Sequence, residues 1–349
     1  MNKKNNLNVS YRCSIIIFFI LIIGLSSKPA YTQPQYEVTT TKYLLGTQID
    51  ITAIHSDIDS MKKAMYFAFK EIERIQSIMS VQIDTTEVSG INHSAGISPH
   101  KVSWETYSII SRSIEYSKKY NGIFDITIGP ISDLWGFSSD KQITSLPDKK
   151  IIDSLIKLVD YKKIKLDPSD TSVFLQVKGM KIDLGGIAKG YAIDRASDVM
   201  KKYGMKNFFV NGGGDIYVSG RKSPEQKWKI GIKDPRDEKN IIANFEVSDM
   251  AVGTSGDYER FVIIDGKRYH HIFDTKTGYP VMISESGTAL ASSTEEAVVL
   301  SKIVFIKGSE NIISPEPGYE IIGVVVSANG QIFYNEPMKS MYNFSLINK

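Results

Sequence analysis

The stretch Asp183-Leu184-Gly185-Gly186-Ile187-Ala188-Lys189-Gly190-Tyr191-Ala192-Ile193-Asp194 is a glycine turn running straight into a helix. That helix extends over Ala188–Tyr203 and is closed by Gly204, a residue that readily takes the backbone conformation ending a helix. Strands follow at once over Asn207–Val210, Asp215–Ser219 and Trp228–Lys233, parted by glycine-rich or proline-containing turns. Just upstream, Val173–Lys178 and Met180–Leu184 flank Gly179 and read as a hairpin. Short strands joined by tight turns around a helix leave few βαβ units. The reading is therefore α+β with a largely antiparallel sheet.

The flanking sequence continues this pattern. Gln48–Ile54, within Tyr43–Ile54, alternates polar and apolar residues as a half-buried strand does. Helical spacing of apolar residues marks Ser60–Met79, opening after Asp59. Trp104–Lys119 is a second helix, stopped by Asn121-Gly122, and Lys149–Val159 a third. Ala243–Ser248, Arg260–Ile264 and Tyr269–Phe273 extend the strand series, with a turn at Asp265-Gly266. Thr294–Ile306 is helical, and Ile321–Ser327 with Ile332–Tyr334 closes the chain as a hairpin around Asn329-Gly330. No linker divides residues 33–349, which are expected to form one compact domain.

Residues 1–32 have a different character. A basic start (Lys3, Lys4, Arg12) precedes an apolar run from Ile15 to Leu25 and then a polar run from Ser26 to Gln33. This order is that of a secretory signal, and an apolar core of about a dozen residues falls short of the ~20 that span a bilayer. An uncleaved N-terminal anchor is the other reading. Either way the body is expected to be exported, in the periplasm or tethered facing it. The 349 residues carry 42 Lys+Arg and 39 Asp+Glu, a net charge of +3. Four of the basic residues lie in the N-terminal segment, so the body is near neutral and offers no footprint for nucleic acid. The single cysteine, Cys13, excludes an intramolecular disulfide and a cysteine-held metal cluster within one chain.

Glycines and acids gather in four places: Asn121–Gly136, Asp183–Asp194, Asn211–Gly220 with Gly212-Gly213-Gly214, and Thr254–Arg260 followed by His270–Pro280. Gly-rich turns often only supply unusual backbone angles. The second stretch does more, because a helix start behind glycines presents free N–H groups to a phosphate and Lys189 adds charge. Neither a Walker nor a Rossmann fingerprint is present. Of the five histidines, the adjacent His270 and His271 end a strand, where neighbours point to opposite faces. At most one of them enters a site; a general base or a structural role are both open to it.

In these segments the chain resembles the ApbE-type FAD:protein FMN transferases. The resemblance runs from Gly46-Thr47 to the final strands and includes Thr86–Asn92, which stands where the family has S-E-L-x-x-x-N. It implies tandem α+β units that bind FAD, cleave its pyrophosphate, and pass FMN to a Ser or Thr hydroxyl of an acceptor protein, releasing AMP. Such acceptors are flavin carriers of membrane-linked redox systems. By position, Leu45, Gln82, Ile123, Phe124, Asp125, Lys189, Arg195 and Phe273 match FAD-contacting residues. His271 matches the histidine that activates the acceptor, and Ala192 offers a carbonyl to Mg²⁺.

Two departures stand out. The family's A-D-A-L-S-T reads Ala297-Val298-Val299-Leu300-Ser301-Lys302 here. Val298 has no side-chain lone pair and a protonated Lys302 cannot ligate Mg²⁺, which leaves Ser301 and, from a shifted place, Glu295 or Glu296. Lys302 itself is a candidate to supply charge toward the diphosphate. The second departure is Gln82 in a place that is usually aromatic. Three functions remain: a transferase with an altered metal site, an exported FAD-binding protein with little or no transfer, and an FAD pyrophosphatase.

Overall fold

A computed structural model describes residues 34–138 and 143–347. Tyr36–Leu44 (β1) and Thr47–His55 (β2) form a hairpin. They are joined in space by Asn207–Gly212 (β3), Asp215–Ser219 (β4), Met250–Gly256 (β5), Ser284–Ala291 (β6), Gly323–Ser327 (β7) and Ile332–Tyr334 (β8). The strands lie side by side in chain order and every pairing is antiparallel. The antiparallel α+β expectation therefore holds.

Four long helices are Ile58–Met79 (α1), Trp104–Lys119 (α2), Ala188–Lys202 (α3) and Thr294–Lys307 (α4). Helix α1 starts two residues before its predicted position because the Asp57 side chain accepts from the Asp59 and Ser60 amides. Its apolar stripe from Met61 to Met79 packs on α3, and α3 and α4 pack on the sheet. On the second face, Trp228 and Phe245 of the paired strands Trp228–Asp234 and Asp237–Val247 meet Val218, Val252 and Val324. Each such large side chain contributes about 1.5–3 kcal/mol on burial. The segment from Gln35 onward holds together as one compact unit. The signal or anchor segment lies outside the described residues, and no described helix is long and apolar enough to cross a membrane.

Two central strands, β5 and β6, have no counterpart among the predicted strands. Both are rich in Gly, Ser and Ala, residues that give little strand signal. Helix α4 explains the composition, because it lies directly on their backbones. A Cβ on Gly253 would run into the Ala297 carbonyl oxygen, and one on Gly287 would fall 2.7 Å from the Phe305 nitrogen. From the other side, a Cβ on Gly190 of α3 would fall 2.5 Å from the Thr294 oxygen.

The predicted hairpin around Gly179 is corrected. Ser172–Leu175 pairs instead with Ile164–Asp167, and Met180–Leu184 is no strand. The Asn92 amide takes over the partner's role: its Nδ2 donates to the Ile182 carbonyl (2.9 Å) and its Oδ1 accepts from the Ile182 amide (2.8 Å). Lys149–Val159 is likewise shorter, an α-helix over Lys149–Leu155 with a 3-10 turn at Ile156–Leu158.

We expect Gly287→Ala to lower stability by about 1–3 kcal/mol, since backbone atoms must give way to the methyl group. Urea unfolding followed by circular dichroism measures this, and an unchanged midpoint would show that α4 does not sit as closely as described.

Candidate functional site

A cleft of about 370 Å³ opens where the β1–β2 turn, the end of α1, the loop 123–128, the start of α3 and the segment His271–Phe273 converge. Of the residues predicted to contact a nucleotide, Leu45, Gln82, Ile123, Phe124, Asp125, Lys189 and Phe273 all line it, as does His271.

The phosphate-binding expectation rests on the start of α3. That helix begins without a side-chain cap, so its first-turn N–H groups are not taken up by a neighbouring side chain. Ala188 and Lys189 of this turn line the cleft. The Lys189 ammonium pairs with the Asp215 carboxylate at 2.8 Å, and Asp215, only 3% exposed, also accepts from the Thr254 amide at 3.1 Å. Lys189 is thereby held against β4 and β5. The preceding Asp183 accepts from the Gly185 amide at 2.8 Å, and a Cβ on Gly186 would press on Phe124 at 3.1 Å. Gly186 is thus a matter of space for the Phe124 ring.

His271 lines the cleft. Its Nδ1 lies 3.1 Å from the Arg260 carbonyl oxygen, which only accepts, so Nδ1 carries the proton and Nε2 keeps its lone pair. Burial, and then the Arg260 charge, hold its pKa well below the usual histidine value. The neighbouring His270 is fully buried, with Nε2 2.6 Å from the Val281 carbonyl oxygen and Nδ1 accepting from the Ile272 amide. One histidine of the pair enters the cleft and the other holds the loop, as strand alternation implies.

The apolar wall is built from strained turns. Leu45 has φ +54°, uncommon for a residue with a side chain, and its amide donates to Gln76 Oε1 at 2.6 Å. Asn121 and Gly122 also have positive φ, and Thr275 donates to the Gly122 carbonyl at 2.6 Å. Asp125 reaches the cleft, yet its carboxylate accepts from the Thr127 amide and hydroxyl and from the Tyr161 amide. Burial raises its pKa while those bonds oppose the shift. Its evident work is to shape the loop that presents Ile123 and Phe124.

Three predicted residues are not brought to the cleft. Arg195 instead faces Asp198 (3.0 Å) and Glu71 (3.5 Å). Ala192 is inside α3 with no exposed surface. Ser301 is fully buried, sharing a 2.8 Å hydrogen bond with Ser255 Oγ and donating to the Val298 carbonyl. Glu295 is no substitute ligand, because both its oxygens accept from Arg112 at 2.6 and 2.7 Å. Among the described residues no group of three or more His, Cys, Asp or Glu stands close enough to hold a metal ion. The donor set thus does not fit Mg²⁺, which needs several oxygens at once.

Lys302 follows Ser301 on α4. It lines the cleft, donates to the Val298 carbonyl at 3.1 Å, and stands in the field of Asp215, Lys189, Arg260 and Asp183. Burial brings its pKa down to about 8. Sequence reasoning missed one ion-pair network altogether. Arg236 binds Asp257 through two 2.8 Å contacts and Glu285 at 2.9 Å, and Arg268 reaches Asp257 at 3.1 Å. It ties the end of β5 to the paired strands Phe261–Ile264 and Lys267–His270 that lead into His271. The acid of Thr254–Arg260 was visible in the sequence, but its distant arginine partners carry no local spacing.

An antiparallel α+β body with a basic helix start and a neutral histidine facing one cleft defines a ligand-binding protein equipped for proton transfer. The chain belongs to the ApbE family, whose sequence profile matches residues 45–316. It is similar to an FAD:protein FMN transferase of Klebsiella pneumoniae (strain 342), 31% identical over 280 residues that cover 79% of this chain and 85% of that one. A relative of the same name from Treponema pallidum (strain Nichols) is 28% identical over 263 residues, 71% of this chain and 72% of its own. The crystal structure of the ApbE protein of Thermotoga maritima superposes with TM-score 0.82 at 32% identity, over 87% of this chain and 98% of that one. The flavin transferase ApbE of Vibrio cholerae shares the fold, with TM-score 0.77 at 24% identity over 88% and 99% of the two chains.

We expect the His271 ring to stay uncharged as pH falls through the ordinary histidine value of ~6.5, and to take its proton only below it. A ring-proton NMR titration of the intact protein reads this directly, and a midpoint near ~6.5 would show that neither desolvation nor the Arg260 charge acts on the ring.

Proposed function

We infer that this chain transfers FMN from FAD to a hydroxyl of an acceptor protein. The observation that carries the reading is His271, which lines the same cleft as Lys189 and the uncapped start of α3 and whose Nδ1, not Nε2, is taken by the Arg260 carbonyl. In this reading the diphosphate of FAD lies against the α3 amides and Lys189. A Ser or Thr oxygen attacks the phosphorus of the FMN half, and its proton passes to His271 Nε2. The bond from that phosphorus to the bridging oxygen breaks. AMP leaves with the bridging oxygen and its electron pair, and FMN remains on the acceptor as a phosphodiester. Leu45, Phe124 and Phe273 supply apolar wall for the flavin, and Gln82 offers polar contact where stacking is absent.

The signal-like residues 1–32 support export to the periplasm, with or without a tether. There the acceptor is a flavin-carrying protein of a membrane-linked redox system.

Incubating the purified protein with FAD and a Ser- or Thr-bearing flavin-carrier protein should give a covalently fluorescent acceptor and one AMP per flavin attached. Release of free FMN and AMP without labelling would make the protein a pyrophosphatase instead. FAD binding with neither product would leave a flavin-binding protein. We expect His271→Ala to slow transfer by ~10²–10⁴-fold while FAD affinity stays within about twofold, the usual scale for losing a general base. Transfer at the parent rate would reduce His271 to a structural role. Arg195→Ala should leave FAD affinity unchanged, and a clear loss in titration of flavin fluorescence would mean that the Arg195 side chain turns into the cleft.

A further inference from the structure

We propose that Lys302 is a built-in cation for the diphosphate of bound FAD, so that this protein holds its dinucleotide without a divalent metal. The proposal rests on FAD occupying the cleft.

Helix α4 is apolar on nearly every side, since it is enclosed between the sheet and α3. Between Ala297 and Ile306, Lys302 is its one ionisable residue. An ammonium in such a helix loses hydration, and a fold gains nothing from it unless an anion or strong hydrogen bonds compensate. Lys302 donates one hydrogen bond, to the Val298 carbonyl, and among the described residues no carboxylate pairs with it within 4.0 Å. Lys189 differs, because Asp215 already offsets its charge at 2.8 Å. Arg260 at the same cleft also lacks a carboxylate partner but is exposed and donates to the Phe137 carbonyl at 3.1 Å, whereas Lys302 brings its unpaired charge from within α4 to the cleft that holds His271 and the start of α3.

The surroundings leave room for the ammonium and none for a metal. A Cβ on Gly186 would lie 3.4 Å from Lys302 Cε, so the lysine stem passes this glycine at ordinary van der Waals distance. Val298, one turn earlier on α4, is 2% exposed and has no donor atom in its side chain. Ser301 and Glu295 are engaged elsewhere, with Ser255 and Arg112. A diphosphate arriving here meets an ammonium with free N–H bonds, whereas a divalent cation meets no set of oxygens. Lysine binds phosphate as a compact point charge, which suits this place.

The test is FAD affinity, read from flavin fluorescence, in EDTA and in millimolar Mg²⁺, with riboflavin as the probe that lacks the diphosphate. The parent protein should bind FAD equally within about twofold in both. Lys302→Met should bind FAD at least about tenfold more weakly, the scale of one hydrogen bond to a charged group, and riboflavin as before. Val298→Asp with Lys302→Thr should make FAD binding depend on Mg²⁺. Loss of FAD binding by the parent protein in EDTA overturns this proposal alone, because FAD would still occupy the cleft. Unchanged FAD affinity in a folded Lys302→Met does the same. Should that variant fail to fold, the parent protein's response to EDTA decides. Absence of FAD binding under both conditions overturns this proposal and the transferase reading together.

Discussion

Backbone-to-backbone packing of helix α4 against β5, β6 and α3 is the constraint on which the rest of the structure depends. Glycines at 190, 253 and 287 remove the side chains that would hold the backbones apart. Close packing of this kind leaves no freedom to slide, because interiors are filled to the density of organic crystals. Two further contacts fix the helix along its axis. The Asp194 carboxylate of α3 accepts from the Thr294 and Glu295 amides at 2.7 and 2.9 Å. Burial raises the Asp194 pKa, while those same bonds favour its charged form. Arg112 of α2 grips Glu295 from the outside. Since Lys189 and Asp194 share α3 and Lys302 belongs to α4, locking the two helices together sets the spacing of the two lysines at the cleft.

Helices were the legible part of the fold. Their apolar spacing and capping residues are local, and α2 spans the predicted Trp104–Lys119 without change. Strands β5 and β6 were illegible for the reason that makes them central: a helix resting on a backbone selects residues without side chains, and these carry no strand preference. The hairpin around Gly179 failed for a related reason. Asn92, ninety positions away, supplies the backbone partners of Ile182 that a second strand would have given. Within the same motif, Thr86 caps the short helix Glu87–His93 and Glu87 accepts from Ser103. The motif thus positions the residue before Asp183 and does not itself line the main cleft.

In the cleft, a residue was readable when a motif held it beside its neighbours and unreadable when its position depended on a distant partner. Lys189 and His271 stood in short strings rich in glycine and acid, and both face the cleft. Arg195 belongs to the same helix as Lys189, yet a step of six positions carries it to a different face, toward Glu71. Asp125 shows the reverse. It is at the cleft wall as expected, but the amide of Tyr161, thirty-six positions on, takes one of its oxygens. Position along the chain located the residue and packing decided what its carboxylate does.

The proposed place of Lys302 beside the diphosphate changes which groups must hold the phosphates in place. A divalent ion both neutralises charge and fixes several oxygens in one arrangement, while an ammonium carries a single charge on a flexible stem. Neutralisation can be made up from neighbours, since Lys189 and Arg260 line the same wall. Arrangement cannot come from flexible side chains, so it falls to rigid donors, and the first-turn amides of α3 are the rigid donors present. Their orientation depends in turn on the Asp183–Gly186 turn and on the seat of α3 against α4. Catalysis of phosphoryl transfer rests on positioning and charge more than on covalent chemistry. A protein that gives up the metal's geometry must therefore draw more of its positioning from packing, and the glycine-lined contact beneath α4 is where this fold supplies it.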